Sequence, residues 1–310
     1  MRHHDGKRFF NPVTTPNPTL RDVNRMLRTR RAPWPQRVPV TPCVPPLPAP
    51  DEALVTFVGH STFLLQTPHG AAITDPQFSE RASPVRFAGP RRVRAPGVSL
   101  ADLPEITVVL LSHNHYDHCD VPSLRALVRR FAPHVVTPLG NGRLLHSLGA
   151  RSVDELDWWD ATTVASFAVT ATPARHFSAR TPFDRNRALW SGFVARADRH
   201  SVYFAGDSGY GPHFAEIAAR TAPIDLALLP IGAYEPRWFM GPIHMNPEEA
   251  VQAHIDLGAR QSVAMHFGTF QLTPEPIDEP AERLVAARRE RGIADESFRV
   301  LEVGETHRLR

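Results

Sequence analysis

Four side chains of the kinds that bind metals fall within six residues of one another. They are two histidines, an aspartate and a third histidine, at positions His113, His115, Asp117 and His118. The apolar run before them, residues 108–111, predicts a buried strand, and a turn directly after a strand lets such side chains converge on one point. The alternative, a polar loop with surface histidines, does not require this spacing. The pattern therefore favours a metal centre.

Three later segments share one form, a β-rich run that ends in a residue of the metal-binding type. The residues at their ends are His176, Asp207 and His266. Taken alone, each is more often a capping or hydrogen-bonded polar residue than a ligand. Two metal ions need about seven protein ligands and a shared water. The first motif and these three residues together supply that number, which predicts a dinuclear centre.

The chain resembles the metallo-β-lactamase fold superfamily, and within it the N-acylphosphatidylethanolamine-hydrolysing phospholipase D family and its bacterial relatives. The resemblance extends from about Val55 to Phe270, and FFNP at residues 9–12 resembles the family's N-terminal start. The matching segments are FVGHSTFLL at 57–65, TDP at 74–76, HNHYDHCD at 113–120, RHF at 175–177, LWSGF at 189–193, FAGDSGY at 204–210, LPIGAYEP at 229–236, HMNPEEA at 244–250 and MHFGTF at 265–270.

The resemblance implies a role for each matching residue. It implies one metal held by His113, His115 and His176, a second held by Asp117, His118 and His266, and a bridge formed by Asp207. It also places His244 near the reaction centre, where it would protonate the leaving group or stabilise an anion. The alternative for His244 is a cap on the helix that begins near Pro247. The expected catalytic residues are Asp117, Asp207 and His244.

Two positions separate this chain from other branches of the superfamily. The β-lactamases of this fold usually have a cysteine at the second metal and no bridging aspartate, whereas here Cys119 directly follows His118 and is poorly placed to be a further ligand. The flavin-linked di-iron branch has a glutamate where this chain has His115. The resemblance therefore implies hydrolysis and not redox chemistry.

Length and pattern predict a single α/β domain with an N-terminal extension. Residues 1–50 hold eight prolines between positions 33 and 50 and should form an extended, helix-poor strap. Residues 51–310 are expected to form a metallo-β-lactamase-like αββα sandwich with the site along one edge. Within it the patterns predict helices at residues 121–131, 247–257 and 280–291 and a strand at 134–137.

Charge and cysteine usage narrow the expected partners and compartment. A net charge of +3 on 310 residues does not indicate a nucleic-acid binder. Two arginine clusters, residues 25–31 with Trp34 and residues 86–94, would attract phosphate or anionic headgroups, or are ordinary solvated faces. Two cysteines, no signal core after Met1 and no apolar run of membrane-spanning length predict a cytoplasmic protein with at most peripheral membrane contact. The sequence does not indicate an oligomeric state.

The expected reaction is hydrolysis of a phosphodiester, on N-acylated phosphatidylethanolamine or a related substrate. Two divalent ions would activate a bridging water, with zinc the default and iron or manganese the alternatives. Asp75 is a candidate acceptor for a ligand imidazole. The residues 234 and 237–240 are expected to line the entrance or to anchor a loop. The alternatives are a lactonase, an amidase or a small-molecule phosphodiesterase on the same metals, and a non-enzymatic metal-dependent sensor.

Overall fold

The computed structural model describes residues 3–11, 13 and 18–309. Pro12, the last residue of the N-terminal match, lies outside them, as do Met1 and Arg2. The elements in chain order are α1 (Leu20–Leu27), β1 (Ala53–Gly59), β2 (Thr62–Thr67), β3 (Gly70–Thr74), β4 (Val108–Leu110), α2 (Val121–Phe131), β5 (His134–Pro138), α3 (Gly142–Ser147), β6 (Val153–Leu156), β7 (Ala161–Val164), β8 (Phe167–Thr172), β9 (Gly192–Ala197), β10 (His200–Phe204), α4 (His213–Thr221), β11 (Leu226–Pro230), α5 (Arg237–Met240), α6 (Pro247–Leu257), β12 (Gln261–Met265), α7 (Glu279–Glu290), β13 (Phe298–Arg299) and β14 (Thr306–Leu309).

The strands form two sheets of the same design. The first has the order β14-β1-β2-β3-β4-β5-β6 and the second the order β13-β12-β11-β10-β9-β8-β7. In each sheet an antiparallel meander leads into parallel strands, β4 to β6 in the first and β11 to β13 in the second. Parallel strands end at the same edge of a sheet, so their final residues are brought together. The predicted ligands come after strands that end at this edge.

The two sheets pack face to face around the main core. Side chains from both sheets, such as Phe57 and Phe63 from the first and Phe193 and Phe204 from the second, are buried in this layer. A separate apolar cluster fills the space between the first sheet and the helices α2 and α3. Helices α4, α6 and α7 pack together, and α6 lies on β11 of the second sheet. The predicted αββα sandwich is confirmed.

Local signals fix the ends of the helices closest to the site. Asp120 caps α2 by accepting a hydrogen bond from the backbone N–H of Ser123, and Ala132 ends it in the left-handed conformation. Asn246 caps α6 in the same manner, with Glu249 returning the bond and Pro247 in the first turn. Both helices have the predicted bounds, and α7 begins one residue earlier than predicted.

The described part of residues 1–50 lies against the sandwich. The backbone N–H of Phe9 donates to Asn186 at 2.8 Å, the indole of Trp34 to the carbonyl of Glu275 at 2.9 Å, and the N–H of Cys43 to Gly97 at 2.8 Å. The prediction of a helix-poor strap missed α1, which Thr19 and Asp22 begin with a reciprocal capping box. No helix among the described residues has the length and apolarity that crossing a membrane requires.

Candidate metal centre

The predicted ligands lie at the ends of strands from both sheets. His113 follows β4 in the first sheet, and Asp207 and His266 follow the parallel strands β10 and β12 of the second. His176 follows β8, which pairs with β9 in the same sheet. The two sheets therefore deliver side chains to one edge of the sandwich, where all seven predicted ligand residues meet.

Three histidine nitrogens form the first group. The Nδ1 atom of His115 lies 2.9 Å from Nε2 of His113 and 3.1 Å from Nε2 of His176. Two nitrogens bound to one zinc at about 2.1 Å, with angles near 90° to 109°, are roughly 3.0 to 3.4 Å apart. The observed separations are close to these values, so the three imidazoles could share one metal ion.

The second group contains Asp117, His118 and His266. The Oδ2 atom of Asp117 lies 3.4 Å from Nε2 of His118 and 3.3 Å from Nε2 of His266. A fourth member, His60, places its Nε2 3.1 Å from the same oxygen of Asp117. The group combines nitrogen and carboxylate donors, a set that suits zinc and also holds iron or manganese.

One oxygen of Asp207 lies between the two groups. Its Oδ2 atom is 3.2 Å from Nε2 of both His118 and His266 in the second group. The same oxygen is 3.7 Å from Nε2 of His176 and 3.9 Å from Nε2 of His113 in the first group. No other carboxylate oxygen among the described residues approaches histidines of both groups so evenly. This position is the one that a bridging carboxylate would occupy.

The buried polar atoms at the centre fit a bound cation. Nε2 of His118 and Nε2 of His266 are buried and, although each lies 3.2 Å from Oδ2 of Asp207, neither forms a hydrogen bond of regular geometry; Oδ1 of Asp207 is also buried without a partner in the described structure. Such atoms are costly to bury unless something satisfies them. Burial also lowers the pKa of His115 to about 3 and of His176 to about 4, so these imidazoles are neutral, the form that binds metals.

The carboxylates carry negative charge in this setting. Burial would raise the pKa of Asp207, but the neighbouring charges of His118 and His266 hold it well below its usual range. Asp117 behaves alike, because His118 outweighs the effect of burial and lowers its pKa. In the metal-free protein the protonated imidazoles of His118 and His266 balance these two carboxylates. Bound cations would take over that role, because histidine binds metals in its neutral form.

Neighbouring groups orient the imidazoles. Asp75, at the end of β3, accepts from Nδ1 of His118 at 2.6 Å and from the backbone N–H of Ser112 at 2.7 Å. The predicted acceptor role of Asp75 is confirmed. The hydroxyl of Ser112 lies 2.6 Å from Asp75 and 2.9 Å from Nδ1 of His113. The carboxylate of Asp75 therefore contacts the second histidine group directly and the first through Ser112. Nδ1 of His176 donates to the carbonyl of Ile243 at 3.0 Å, which leaves its Nε2 free for the centre.

His244 lies beside the bridge position. Its Nε2 is 3.9 Å from Oδ2 of Asp207, and its ring centroid is 4.9 Å from that of His176. Burial lowers its pKa well below the usual value. The alternative that His244 caps α6 is wrong, because Asn246 provides the cap. A neutral imidazole at this position can donate an N–H to an oxygen that gains negative charge.

His60 is a site residue to which sequence reasoning gave no role. It follows β1 in the left-handed conformation, with φ of 57°, and its ring centroid lies 4.3 Å from that of His266, with the ring planes tilted by 40°. The sequence signal that could have identified His60 is its position inside the matching segment FVGHSTFLL.

Cys119 is fully buried beside the first motif, and burial raises the pKa of its thiol to about 11. It belongs to none of the potential metal groups found among the described residues.

The predicted entrance residues divide into exposed and buried ones. Trp238 is 43% exposed and carries the guanidinium of Arg25 at 4.4 Å from its ring centroid. Tyr234 is fully buried and donates its hydroxyl to Glu279 at 2.6 Å, so it anchors the loop and does not line an opening. In the second arginine cluster Arg92 is half-buried and donates to the carbonyls of Ser79 and Gln77, a structural role.

Comparison with known proteins agrees with this arrangement. A family model described as a β-lactamase superfamily domain matches residues 72–267. N-acyl-phosphatidylethanolamine-hydrolyzing phospholipase D 1 of Caenorhabditis elegans is 36% identical over 265 residues, which cover 81% of this chain and 74% of that protein. An uncharacterised protein of Mycobacterium tuberculosis is 45% identical over 238 residues, covering 75% of this chain and 63% of that protein. The match thus spans somewhat less than two thirds of the mycobacterial relative.

Among solved structures, Igni18 is similar in fold. It is described as a novel metallo hydrolase from the hyperthermophilic archaeon Ignicoccus hospitalis, and it superimposes with a TM-score of 0.62. The sequence identity is 22%, and the alignment covers 84% of this chain and 99% of that one. At this identity the likeness concerns the fold alone.

Proposed function

The chain belongs to the β-lactamase superfamily and, within it, to the family of N-acylphosphatidylethanolamine-hydrolysing phospholipases D and their bacterial relatives, and on this premise we propose that it hydrolyses phosphodiesters. It is a metal-dependent hydrolase of that superfamily. The proposed reaction is of the phospholipase D type, on N-acylated phosphatidylethanolamine or a related diester. Similarity to the nematode enzyme at 36% identity supports the reaction class.

The position of Asp207 is the observation that carries the proposal. Its Oδ2 atom lies within 3.2 Å of two histidine nitrogens of one group and within 3.9 Å of two of the other. A carboxylate so placed would set a short, fixed spacing between two cations. Pairs about 3.5 to 4 Å apart are typical of enzymes that catalyse in-line displacement at phosphorus. A mononuclear site would not need this residue.

The proposed ligand assignment follows the geometry. The first ion would be held by His113, His115 and His176, and the second by Asp117, His118 and His266, with Asp207 shared. Zinc is the proposed metal, with iron and manganese as alternatives. When bound, such ions lower the pKa of a water toward 7 and stabilise negative charge on phosphoryl oxygens. His60 would hold the carboxylate of Asp117 from the opposite side, at 3.1 Å.

The chain's own residues prepare the step in which water attacks phosphorus. Asp75 and Ser112 fix the imidazoles of His118 and His113 through hydrogen bonds of 2.6 to 2.9 Å, so the donors are in place before substrate arrives. The new P–O bond forms as the bond to the headgroup oxygen breaks, and the headgroup alkoxide takes a proton. The Nε2 of His244, 3.9 Å from Asp207, is the proposed donor of a hydrogen bond to that oxygen.

The proposal assigns contact with a lipid substrate to the exposed aromatic side chain of Trp238, six residues before His244. Trp238 is 43% exposed at the start of the segment that leads to His244, and it contacts Arg25 of α1. The proposal places acyl chains against Trp238 and an anionic headgroup near the guanidinium. It implies a cytoplasmic protein that contacts a membrane surface peripherally.

A substrate panel on protein of measured metal content tests the proposal. The panel contains N-acylated phosphatidylethanolamine, an aryl phosphodiester, a lactone, an amide and a β-lactam. We expect turnover of both phosphodiesters, with phosphate retained on the diacylglycerol and the N-acylethanolamine released. Asp207→Asn should abolish most of this turnover, whereas Asp198→Asn, a surface substitution of the same type, should not. Turnover of the lactone or amide without turnover of either diester would overturn it.

A further inference from the structure

A cavity of about 610 Å³ lies between the N-terminal segment and the loop 177–187. It is lined by Arg8 from the segment, by Arg185 from the loop, and by His176 of the first histidine group. Its volume falls in the range of small-molecule sites, about 300 to 1,000 Å³. The cavity therefore adjoins the metal centre through one of the proposed ligands, yet no part of the proposed mechanism uses it.

The two arginines that line this cavity form no short ion pair in the described structure, although the carboxylate of Asp5 attracts Arg8. Neither guanidinium has an ion-pair partner among residues 3–11, 13 and 18–309, and the remaining positions of the chain contain no Asp or Glu. The guanidinium of Arg185 lies 4.1 Å from the ring centroid of Phe177, which holds it toward the cavity. Burial and then the charge of Arg8 lower the pKa of Arg185, so the two side chains repel each other.

The single carboxylate on the cavity wall offsets this repulsion only in part. Oδ1 of Asp5 accepts from the backbone N–H groups of Lys7 and Arg8, each at 2.8 Å, which turns it toward its own loop. The rest of the wall mixes aromatic side chains, with Phe10 41% exposed and Phe9 buried, and polar ones such as Asn11 and Asn186. A half-buried guanidinium and an exposed one beside aromatic rings are suited to a planar or tetrahedral anion on a carbon framework.

We infer that this cavity binds a second anionic group of the substrate, a carboxylate or a phosphate, carried on a substituent of the scissile phosphodiester. The inference rests on the proposed phosphodiesterase function. A substituent that extends from the centre past His176 enters the cavity, where Arg8 and Arg185 neutralise its charge and Phe177 contacts its body. A neutral N-acylethanolamine substituent would leave both guanidiniums unpaired. The preferred substrates are therefore diesters with a further negative charge.

Matched synthetic substrates test the inference. Three 4-nitrophenyl phosphodiesters carry a 4-carbamoylbenzyl, a 4-carboxybenzyl or a 4-phosphonobenzyl group, of which the first two have nearly the same shape. Hydrogen bonds to charged groups predict kcat/KM roughly 10- to 100-fold higher for the carboxylate than for the amide. The phosphonate arm shows which anion the cavity prefers. Equal rates on all three substrates would overturn the inference while leaving the phosphodiesterase proposal intact.

Four variants assign the preference to the cavity. Arg185→Ala and Arg8→Ala should each remove most of the preference for the carboxylate over the amide, and Arg185→Lys should keep part of it. Asp5→Asn retains the turn acceptor and removes a negative charge, so it should increase the preference, a gain that misfolding cannot produce. Arg187→Ala, which removes a neighbouring charge outside this cavity, is the control and should leave the preference within about twofold because exposed charges are screened.

Binding measurements distinguish failure of the inference from failure of the proposed function. Calorimetric titration compares hydrolysis-resistant methylphosphonates that bear the carboxybenzyl or the carbamoylbenzyl group. If no diester is hydrolysed, the proposed function fails, and tighter binding of the carboxylate that is lost in Arg185→Ala would still support the cavity. Equal binding of the two ligands to the wild-type protein would overturn the inference.

Discussion

Substitution of Asp75 by asparagine tests whether a carboxylate outside the ligand set controls metal affinity. Asp75 is fully buried, and its two oxygens accept from Nδ1 of His118 at 2.6 Å, from the hydroxyl of Ser112 at 2.6 Å and from the N–H of Ser112 at 2.7 Å. Asparagine keeps one acceptor oxygen and tolerates the positive φ of 32° at this position. The variant should therefore fold while losing the charge.

The expected loss follows from the bond that the amide cannot replace. Either His118 or Ser112 must face an NH₂ group in place of an oxygen, and a hydrogen bond to a charged acceptor contributes about 1.5 to 3 kcal/mol. Since each 1.4 kcal/mol is a factor of ten, affinity at the second group should fall about 10- to 100-fold. The first group, which Asp75 reaches only through Ser112 and His113, should lose much less.

Competition with a chelator of known affinity measures both dissociation constants, and thermal unfolding of the metal-free protein measures the fold. Asp225→Asn is the matched control, because Asp225 also accepts from a serine N–H and hydroxyl, those of Ser201, but at the start of strands β10 and β11, opposite the end that Asp207 follows. The reasoning is refuted if Asp75→Asn binds both ions as tightly as the wild type, or if the loss is equal in the control.

Three further predictions follow from the site. Purified protein should bind two transition-metal ions per chain, and Asp207→Asn should lose most activity with its fold intact; saturation at one ion by elemental analysis would contradict the dinuclear assignment. Asn11→Ala, which removes the 2.9 Å bond from the Asn11 amide to the carbonyl of His176, should weaken metal binding at the first group, and a chelator titration unchanged from wild type would count against it. Shortening the acyl chains of a lipid substrate should lower kcat/KM by about 0.8 kcal/mol per buried methylene, and Trp238→Ala should flatten that dependence; rates independent of chain length in both proteins would exclude the lipid proposal.

The grouping of the proposed ligands and several elements were predictable because their signals are local. The spacing at His113 to His118 and the helix Val121–Phe131 each lie within a dozen residues, where strand ends and capping residues can be recognised directly. Asn11 and His176 are 165 positions apart in the sequence, so no local pattern predicts their contact. The aromatic ring of Tyr234 suits either an entrance or a loop anchor, and its burial and its hydrogen bond to Glu279 show that it is the anchor. Where the local sequence allows more than one role for a residue, tertiary packing determines which role it has.

Three of the nine non-glycine residues with positive φ in the described structure lie at the candidate metal centre. His60, Asp75 and His266 all have positive φ, of 57°, 32° and 61°, and each directly follows a strand of the sandwich. Side chains of a continuing strand stand on alternating faces of the sheet, whereas a left-handed residue turns the chain and changes the direction of its side chain at the strand end. Non-glycine residues adopt this conformation at a cost of about 1 to 3 kcal/mol each. Bound cations would offset that cost, so metal removal should loosen these three turns together, before the strands that precede them.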